Sequence, residues 1–414
     1  MSDPHRLVDG IDIREALDFL AEMIRFRSYS GEPGEAELAR FMVERMRGLG
    51  LVAELQPVED GRFNAVGTLA GSGNCDGGRD GGKSLMFNGH MDTNPVTGGW
   101  TVDPWGGVRD DDFIYGIGVS NMKAGDAAAF MAVKTLVDAG VRLKGDVVLE
   151  YVVGELQGGI GTVKAIEAGV RTDCFVNMEP TDLNGMTLHA GSFNVEIELT
   201  GITRHVSKRE EAVDAIGAAA RLIPRFNTMT FSGAANDEHA AVNRANIGVV
   251  RGSLSPEFHD WRPPQVADFV RMAGTVRYGP SQSEAGVLAD IERLLAELET
   301  ETPGLKTTVV KQFAGDRPSM LPFEVDRESA IVKAVSGAYA EVRGEAQRLG
   351  PVKPCCFYGT DASHLLHRAG MPGIVCGPGG RYNTMPDERV DIPDYLDAIR
   401  IYLLTILDVC GADG

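Results

Sequence analysis

The sequence has few cysteines, no long apolar run and no excess of basic residues. Apart from Cys355–Cys356, its six cysteines are scattered, so neither a disulfide framework nor the paired spacing of a structural zinc site is present. No stretch approaches the roughly 20 apolar residues that span a bilayer, and the first residues do not resemble a signal peptide. The formal net charge of -19 excludes the basic footprint of a nucleic-acid-binding protein. These absences predict a reduced, cytoplasmic protein with neither nucleic acid nor a membrane as partner.

The pattern of secondary structure divides the chain of 414 residues into three segments. Strands alternate with helices over 1–188, and this pattern returns over 315–414, which indicates a mostly parallel sheet. Between them, residues 189–314 show alternating strands and helices expected over 208–223 and 283–299, typical of an antiparallel sheet covered on one face. The sequence therefore predicts an α/β domain, built from the two outer segments, with an inserted α+β domain.

Polar side chains follow three of the predicted strands of the α/β domain. His90 and Asp92 end the apolar segment 84–92, and their spacing of two places both on one face of an extended chain. Glu155 and Glu179 follow the next two strands, and the carboxyl ends of parallel strands form the binding sites of such sheets. An imidazole beside a carboxylate is a common arrangement around a metal. The alternative is a hydrogen-bonded histidine at a strand end, with Glu155 and Glu179 as solvated loop carboxylates.

In order and spacing, these residues resemble the di-zinc aminoacylases and carboxypeptidases, which include acetylornithine deacetylase, succinyl-diaminopimelate desuccinylase and glutamate carboxypeptidase. The resemblance covers nearly the whole chain. It implies a zinc-peptidase-like catalytic domain interrupted by a dimerisation or lid domain, and a homodimer or higher homo-oligomer that pairs through the lid. Carried over by position, it implies that His90 and Glu179 bind a metal ion. It further implies that Asp92 orients His90 and that Glu155 is the general base that activates water.

The same resemblance implies a set of substrate contacts. His205 matches a lid histidine that reaches a neighbouring subunit's active site and stabilises the developing oxyanion. Asn246 and Arg277 match lid residues that hold a substrate oxygen and a substrate carboxylate, and Gly377 and Gly379 match a backbone substrate-binding turn. The alternatives are a surface loop histidine at 205 and an ordinary strand arginine at 277.

Three positions depart from the family pattern. Asn121 replaces the carboxylate that bridges two zinc ions, Leu156 replaces a glutamate ligand, and Thr384 replaces a histidine ligand. All three changes fall on one metal, so His90, Asn121 and Glu179 are left as a three-ligand site with open positions. Because only one of these ligands is charged, we expect one weakly held divalent transition metal ion, either Mn, Zn, Co or Fe.

Three side chains leave alternatives open around this predicted site. Asn121 is also suited to be a helix N-cap. His364 and His189 are candidates to supply a ligand in place of the lost ones.

The reduced site predicts a single-metal hydrolase of a carbon-nitrogen bond in a small carboxylate substrate, with Glu155 as base. Because the second metal is lost, we expect a substrate more activated than a peptide amide, or one that supplies a ligand itself. A branch of this fold, 5-nitroanthranilate aminohydrolase, suggests an activated aromatic amine whose carboxylate binds Arg277. The alternatives are a deacylase or amidase of an N-acyl amino acid and a non-catalytic binding protein that kept the fold. Retention of Glu155 and His205 favours catalysis, because a binding protein needs neither.

Overall fold

The computed structural model describes residues 4–75, 82–259, 263–312 and 317–412. They form two compact units. The first contains the described residues up to Leu188, Phe323–Cys355 and the residues from Thr360 onward, and the second contains His189–Pro322 and Cys356–Gly359. The second unit therefore extends past the predicted limit at residue 314, which itself lies outside the described residues.

Within the described residues, both units contain helices and strands. The helices are α1 (Pro4–Asp9), α2 (Ile13–Ile24), α3 (Gly34–Gly48), α4 (Ala124–Asp138), α5 (Ile160–Glu167), α6 (Ala215–Asn227), α7 (Asp237–Ala241), α8 (Glu284–Glu301), α9 (Ala330–Arg343), α10 (Ala362–Ala369) and α11 (Ile392–Cys410). The strands are β1 (Val52–Glu59), β2 (Arg62–Leu69), β3 (Leu85–His90), β4 (Phe113–Tyr115), β5 (Val147–Val152), β6 (Cys174–Asn177), β7 (Gly185–Met186), β8 (Leu188–His189), β9 (Gly191–Thr200), β10 (Arg244–Ser253), β11 (Phe269–Tyr278), β12 (Lys306–Gln312), β13 (Phe323–Glu324), β14 (Leu349–Gly350), β15 (Gly373–Val375) and β16 (Arg389–Asp391).

The first unit is built on an eight-stranded sheet in the order β1-β2-β5-β3-β6-β15-β7-β14. At its centre β3 pairs in parallel with both β5 and β6, and every residue of these three strands is buried. Strands that are buried along their whole length are expected where a parallel sheet is covered on both faces. The β1–β2 hairpin joins the sheet through an antiparallel pairing of β2 with β5. This α/β architecture confirms the predicted fold class.

The strand ends decide where a site can form. In the order β5-β3-β6, the strands end at Val152, His90 and Asn177. Since the three strands are parallel neighbours in register, the loops that follow them leave the same edge of the sheet. The sheet topology therefore explains why the residues that follow these strands lie close together, as the sequence predicted.

The second unit has a four-stranded antiparallel sheet in the order β10-β11-β9-β12. Helices α6 and α8 pack with it around an apolar core that includes Val195, Ile197, Leu222, Met272 and Ile291. The sequence predicted a helix from residue 208, but α6 begins at Ala215 because the Asp214 side chain caps it by accepting from the Gly217 amide. The helix predicted over 283–299 is α8, which Ser283 caps in the same way.

Among the described residues, no helix combines the length and the apolar character needed to cross a membrane.

Two glycines in helices of the first unit, one in the first turn of α4 and one inside α9, test how tightly α4 packs. A Cβ at Gly125 would lie 2.6 Å from the carbonyl oxygen of Met178, whereas a Cβ at Gly337 of α9 would meet nothing within 4 Å. We expect Gly125→Ala to lower the free energy of unfolding by about 1–3 kcal/mol because overpacking forces backbone shifts. Gly337→Ala, the matched control, should raise it by roughly 0.5–1 kcal/mol. Urea denaturation of both variants measures this, and equal effects would contradict the packing described.

Candidate active site

His90 ends β3 and is only 1% exposed. Its Nδ1–H donates to the main-chain oxygen of Asp92 at 2.8 Å, whereas the nearest carboxylate oxygen of Asp92 lies 3.6 Å from Nδ1. The imidazole is therefore oriented mainly by the backbone of Asp92, not by its carboxylate as the resemblance implied. This hydrogen bond turns Nε2 away from Asp92 and leaves it available to a ligand.

The carboxylate of Asp92 instead holds the turn that carries Glu155. Its Oδ1 accepts from the amides of Gly154 at 2.9 Å and Glu155 at 3.3 Å, and its Oδ2 accepts from the amide of Leu156 at 3.4 Å. The hydroxyl of Ser30 also donates to Oδ2, at 2.8 Å. Asp92 is fully buried, and these donors compensate for the burial of its charge. Nothing in the local sequence signals this role.

Asn121 and Glu179 lie on the ligand side of His90. The Nε2 atom of His90 is 3.0 Å from Asn121 Oδ1 and 3.4 Å from Glu179 Oε1. The alternative of a helix N-cap is wrong, because α4 begins at Ala124 with Lys123 in the capping position. Glu388 accepts hydrogen bonds from the amide of Asn121 at 3.2 Å and from its neighbour. It thus fixes the segment that presents the Asn121 side chain.

One group of side chains in the described part of the chain has the geometry of a metal site. His90, Glu155 and Glu179 each offer a ligand atom, and these atoms all lie within 4.8 Å of one another. All three residues are buried, and Glu179 Oε2 has no hydrogen-bond partner. With Asn121 Oδ1 beside them, these donors fit one divalent transition metal ion with mixed nitrogen and oxygen ligands. The structure thus brings Glu155 together with the three ligands that the sequence predicted.

Charges within this group shift the pKa of its members. Burial alone would lower the pKa of His90, but the negative charges of Glu179, Asp92 and Glu155 raise it well above its usual value. Burial, together with the charge of Glu179, raises the pKa of Glu155 well above its usual value. A bound cation would reverse both tendencies, because it favours charged carboxylates and a neutral imidazole. The electrostatics therefore fit a cation at this position.

The residues that stand where the family has its other metal ligands do not provide a second set of ligands. The side chain of Leu156 has only carbon atoms and is 37% exposed, and Thr384 is an exposed residue with a φ of 55°. Burial lowers the pKa of His364 to about 4, and its Nε2 donates to the Gly158 carbonyl at 2.9 Å. His189 belongs to the second unit, where its Nδ1 donates to the Ala190 carbonyl. Neither histidine belongs to the group that could hold a metal within the described ranges.

Two buried acids near the site were not singled out by sequence reasoning. Burial raises the pKa of Asp361, before α10, to about 7. Burial raises the pKa of Asp126 in α4 well above its usual value, and a Cβ at Gly89 would lie 2.1 Å from its carboxylate. Aspartates at the start of a helix or within one are usually solvated. The local sequence therefore could not reveal that Asp361 and Asp126 are buried.

The turn with Gly377 and Gly379 packs against the loop that carries Glu179. The amide of Gly377 donates to the Thr181 hydroxyl at 3.2 Å, and its carbonyl accepts from the Thr181 amide at 3.0 Å. Gly379 has a φ of 82°, and its carbonyl accepts from the Asp182 amide at 2.7 Å. These bonds give the turn a role in placing Glu179, and substrate binding by its backbone stays a prediction.

The remaining predicted substrate residues belong to the second unit. His205 is exposed, and its Nδ1 accepts from the amide of Ser207 at 3.2 Å. Asn246 is exposed on β10, and Arg277 is half-buried on the neighbouring strand β11. Asn246 is paired with the residue two before Arg277, so the two side chains lie on the same face of the sheet.

A mostly parallel sheet that collects a histidine and two glutamates at its strand ends, interrupted by an α+β unit, defines the zinc-peptidase-like class of hydrolases. The chain belongs to Peptidase family M20/M25/M40, whose pattern matches residues 86–408. It is therefore an enzyme that hydrolyses carbon-nitrogen bonds, and the resemblance to the di-zinc aminoacylases and carboxypeptidases is confirmed.

Similar proteins of known sequence or structure agree with this assignment. The chain is 31% identical over 373 residues to acetylornithine deacetylase of Edwardsiella ictaluri, covering 87% of each chain. It is 26% identical over 390 residues to N-formyl-4-amino-5-aminomethyl-2-methylpyrimidine deformylase of Bacillus subtilis, covering 88% of this chain and 87% of that one. Aminopeptidase PepT from Bacillus cereus shares the fold with a TM-score of 0.75 at 20% identity, over 97% of this chain and 99% of that one. Bacillus subtilis YxeP, a dinuclear metal binding peptidase, has a TM-score of 0.65 at 17% identity, over 96% and 98%.

Metal binding gives a direct test of the site. We expect about one Mn²⁺ or Zn²⁺ per chain, abolished by His90→Ala and unchanged in the control Leu156→Ala, because the leucine offers no donor. Affinity should fall as the pH is lowered, since the raised pKa of His90 lets protons compete for Nε2. Calorimetric titration at several pH values, with elemental analysis, measures both. Two tightly held ions per chain would show that other residues rebuild the second position.

Proposed function

We propose that this enzyme hydrolyses an amide-type carbon-nitrogen bond of a small carboxylate-bearing molecule at a site with one divalent transition metal ion. The observation that carries the proposal is the buried group of His90, Glu155 and Glu179, whose ligand atoms lie within 4.8 Å of one another. Leu156 and Thr384 support a single ion, because neither side chain is a usual ligand of such a metal.

The residues divide the chemistry between holding the ion and moving a proton. His90 Nε2, Glu179 Oε1 and Asn121 Oδ1 would hold the ion, which when bound would lower the pKa of a water molecule. Glu155 accepts the proton from the attacking water and then delivers it to the departing amine. The amides of Glu155 and its neighbours remain bonded to Asp92, so the base keeps its position while its carboxylate changes charge.

The substrate class is proposed from the names of the relatives together with the site. Two relatives act on a formyl and an acetyl amide by name, which favours a small N-acyl group. Displacement of an activated aromatic amine, as in 5-nitroanthranilate, requires the same water and the same base and stays a prediction. A screen of N-formyl amino acids, N-acetyl amino acids and amino-nitrobenzoates separates these substrate classes.

The role of Glu155 as the base is tested by a substitution that keeps the shape of its side chain. We expect Glu155→Gln to lower kcat by about 10²–10⁴-fold, because an amide cannot take a proton from water. Glu167→Gln, which changes an exposed glutamate at the end of α5, is the control and should keep full activity. Metal content is measured in parallel on both variants. If turnover survives in Glu155→Gln with metal present, the assignment of the base is wrong.

We also propose that the second unit forms a homodimer or higher homo-oligomer and supplies His205, Asn246 and Arg277 to substrate. The fork of Arg277 suits a carboxylate. The edge strand β10 supports pairing between copies, because Val249 and Val250 are 54% and 49% exposed on an unpaired edge of the four-stranded sheet. The exposure of His205 leaves its imidazole accessible to another chain.

Action of His205 across subunits is tested by mixing two inactive variants. Glu155→Gln supplies an intact His205, and His205→Ala supplies an intact Glu155. If the histidine acts on the neighbouring chain, subunit exchange between the two should restore about a quarter of wild-type activity, since half of the dimers gain one complete site. Activity is measured before and after exchange. An inactive mixture whose exchange is verified would assign the histidine to its own chain or to no catalytic role.

A further inference from the structure

The segment Gly154–Gly159 carries the base and is rich in glycine. Gly154, Gly158 and Gly159 adopt positive φ angles of 76°, 87° and 75°. Glycine loses more conformational freedom on ordering than other residues, so a segment of this composition does not hold one conformation by itself. Contacts from outside the segment therefore add to its own turn hydrogen bonds in holding Glu155 in place.

We propose that Arg62, buried on β2, is a positioning residue that holds Glu155 in place through the side chain of Gln157. The inference rests on the proposed role of Glu155 as base. The Nη1 atom of Arg62 donates to Gln157 Oε1 at 2.7 Å, which joins positions 95 residues apart in the chain. A Cβ at Gly154 would lie 3.1 Å from Arg62 Nη2, so the guanidinium also packs against the residue before the base.

Arg62 is itself held firmly by Glu35 of α3. Its Nε donates to Glu35 Oε2 at 2.7 Å, and its Nη2 donates to Glu35 Oε1 at 2.8 Å, which is a bidentate pair. Arg62 is 7% exposed and Glu35 is fully buried. A buried pair of this geometry has little freedom to move, so the guanidinium is a rigid point of attachment for the segment.

The segment is thus fixed from two sides. Asp92 accepts from the amides of Gly154, Glu155 and Leu156, which sets the backbone from the residue before the base to the residue after it. Arg62 bonds the side chain two residues after the base, which sets the direction in which the segment continues. With both contacts, rotation of the segment about Glu155 is prevented. Because a displacement of about 1 Å can cost roughly 10²-fold in rate, this second contact has a catalytic consequence.

A neighbouring bond of the same guanidinium provides a matched control. Glu59 accepts from the same Nη1 atom at 2.9 Å, and it belongs to the β1–β2 hairpin. Gln157 and Glu59 are both partly exposed, so either can be changed without opening the core. Loss of one bond to Nη1 is common to the two variants, and only the Gln157 variant releases the segment with the base.

The experiment compares Gln157→Met, Gln157→Glu and Glu59→Met on the N-formyl or N-acetyl amino acid that the wild type hydrolyses fastest. Gln157→Met removes the acceptor, and we expect kcat to fall about 10-fold to 100-fold while KM and metal content stay near their wild-type values. Gln157→Glu restores an acceptor and should recover most of kcat. Glu59→Met, which removes the other acceptor of Nη1, should leave kcat unchanged. Thermal denaturation is recorded for each variant, because a structural role alone would lower stability without separating kcat from KM.

The outcomes separate this inference from the assignment of the base. If Gln157→Met keeps the kcat of Glu59→Met while Glu155→Gln is inactive, Arg62 does not position the base, and the proposed function is unaffected. If Glu155→Gln is active as well, the proposed function itself is wrong. Equal losses in Gln157→Met and Gln157→Glu would also overturn the inference, since the acceptor would then not matter.

Discussion

The hydrogen bonds of Asp92 are the interactions on which the rest of the site depends. One residue orients the imidazole of His90 with its carbonyl and holds the amides of Gly154, Glu155 and Leu156 with its carboxylate. It thereby couples the end of β3 to the turn after β5. The parallel register of these two strands makes this coupling possible, because it places both ends at one edge of the sheet. The proposed metal ligand and the proposed base are thus placed relative to each other by one buried residue, through its main-chain oxygen and its carboxylate.

This arrangement collects negative charge in the interior of the protein. Glu155, Glu179 and Asp92 surround one histidine, and Asp126 and Asp361 add further buried acids nearby. Burial of such groups disfavours their charged forms, and a cation at the centre would relieve their mutual repulsion. The stability needed to hold them together comes from the apolar core beneath the sheet, where β3, β5 and β6 are buried throughout.

Part of this organisation could be predicted from the sequence. His90, Glu155 and Glu179 follow apolar segments at strand ends, so the topology of an α/β sheet alone predicts that they meet. The start of α6 was less well predicted, because residues 208–211, Lys-Arg-Glu-Glu, favour a helix but form a separate short turn before the cap at Asp214. The role of Asp92 was predicted only in part. The residue was identified, but the choice between its carbonyl and its carboxylate depends on the position of the 154–156 amides.

What the sequence by itself determined is the chemistry that each position can perform. Leucine at 156 has no donor atom and asparagine at 121 has no charge, and no fold changes either fact. Only the tertiary structure decided which distant groups meet. The bonds from Asp92 to Gly154 and from Arg62 to Gln157 join positions 62 and 95 residues apart, and His364 donates to Gly158 instead of entering the site. Such contacts depend on how loops leave their strands and pack, and local patterns of side chains carry no information about that geometry.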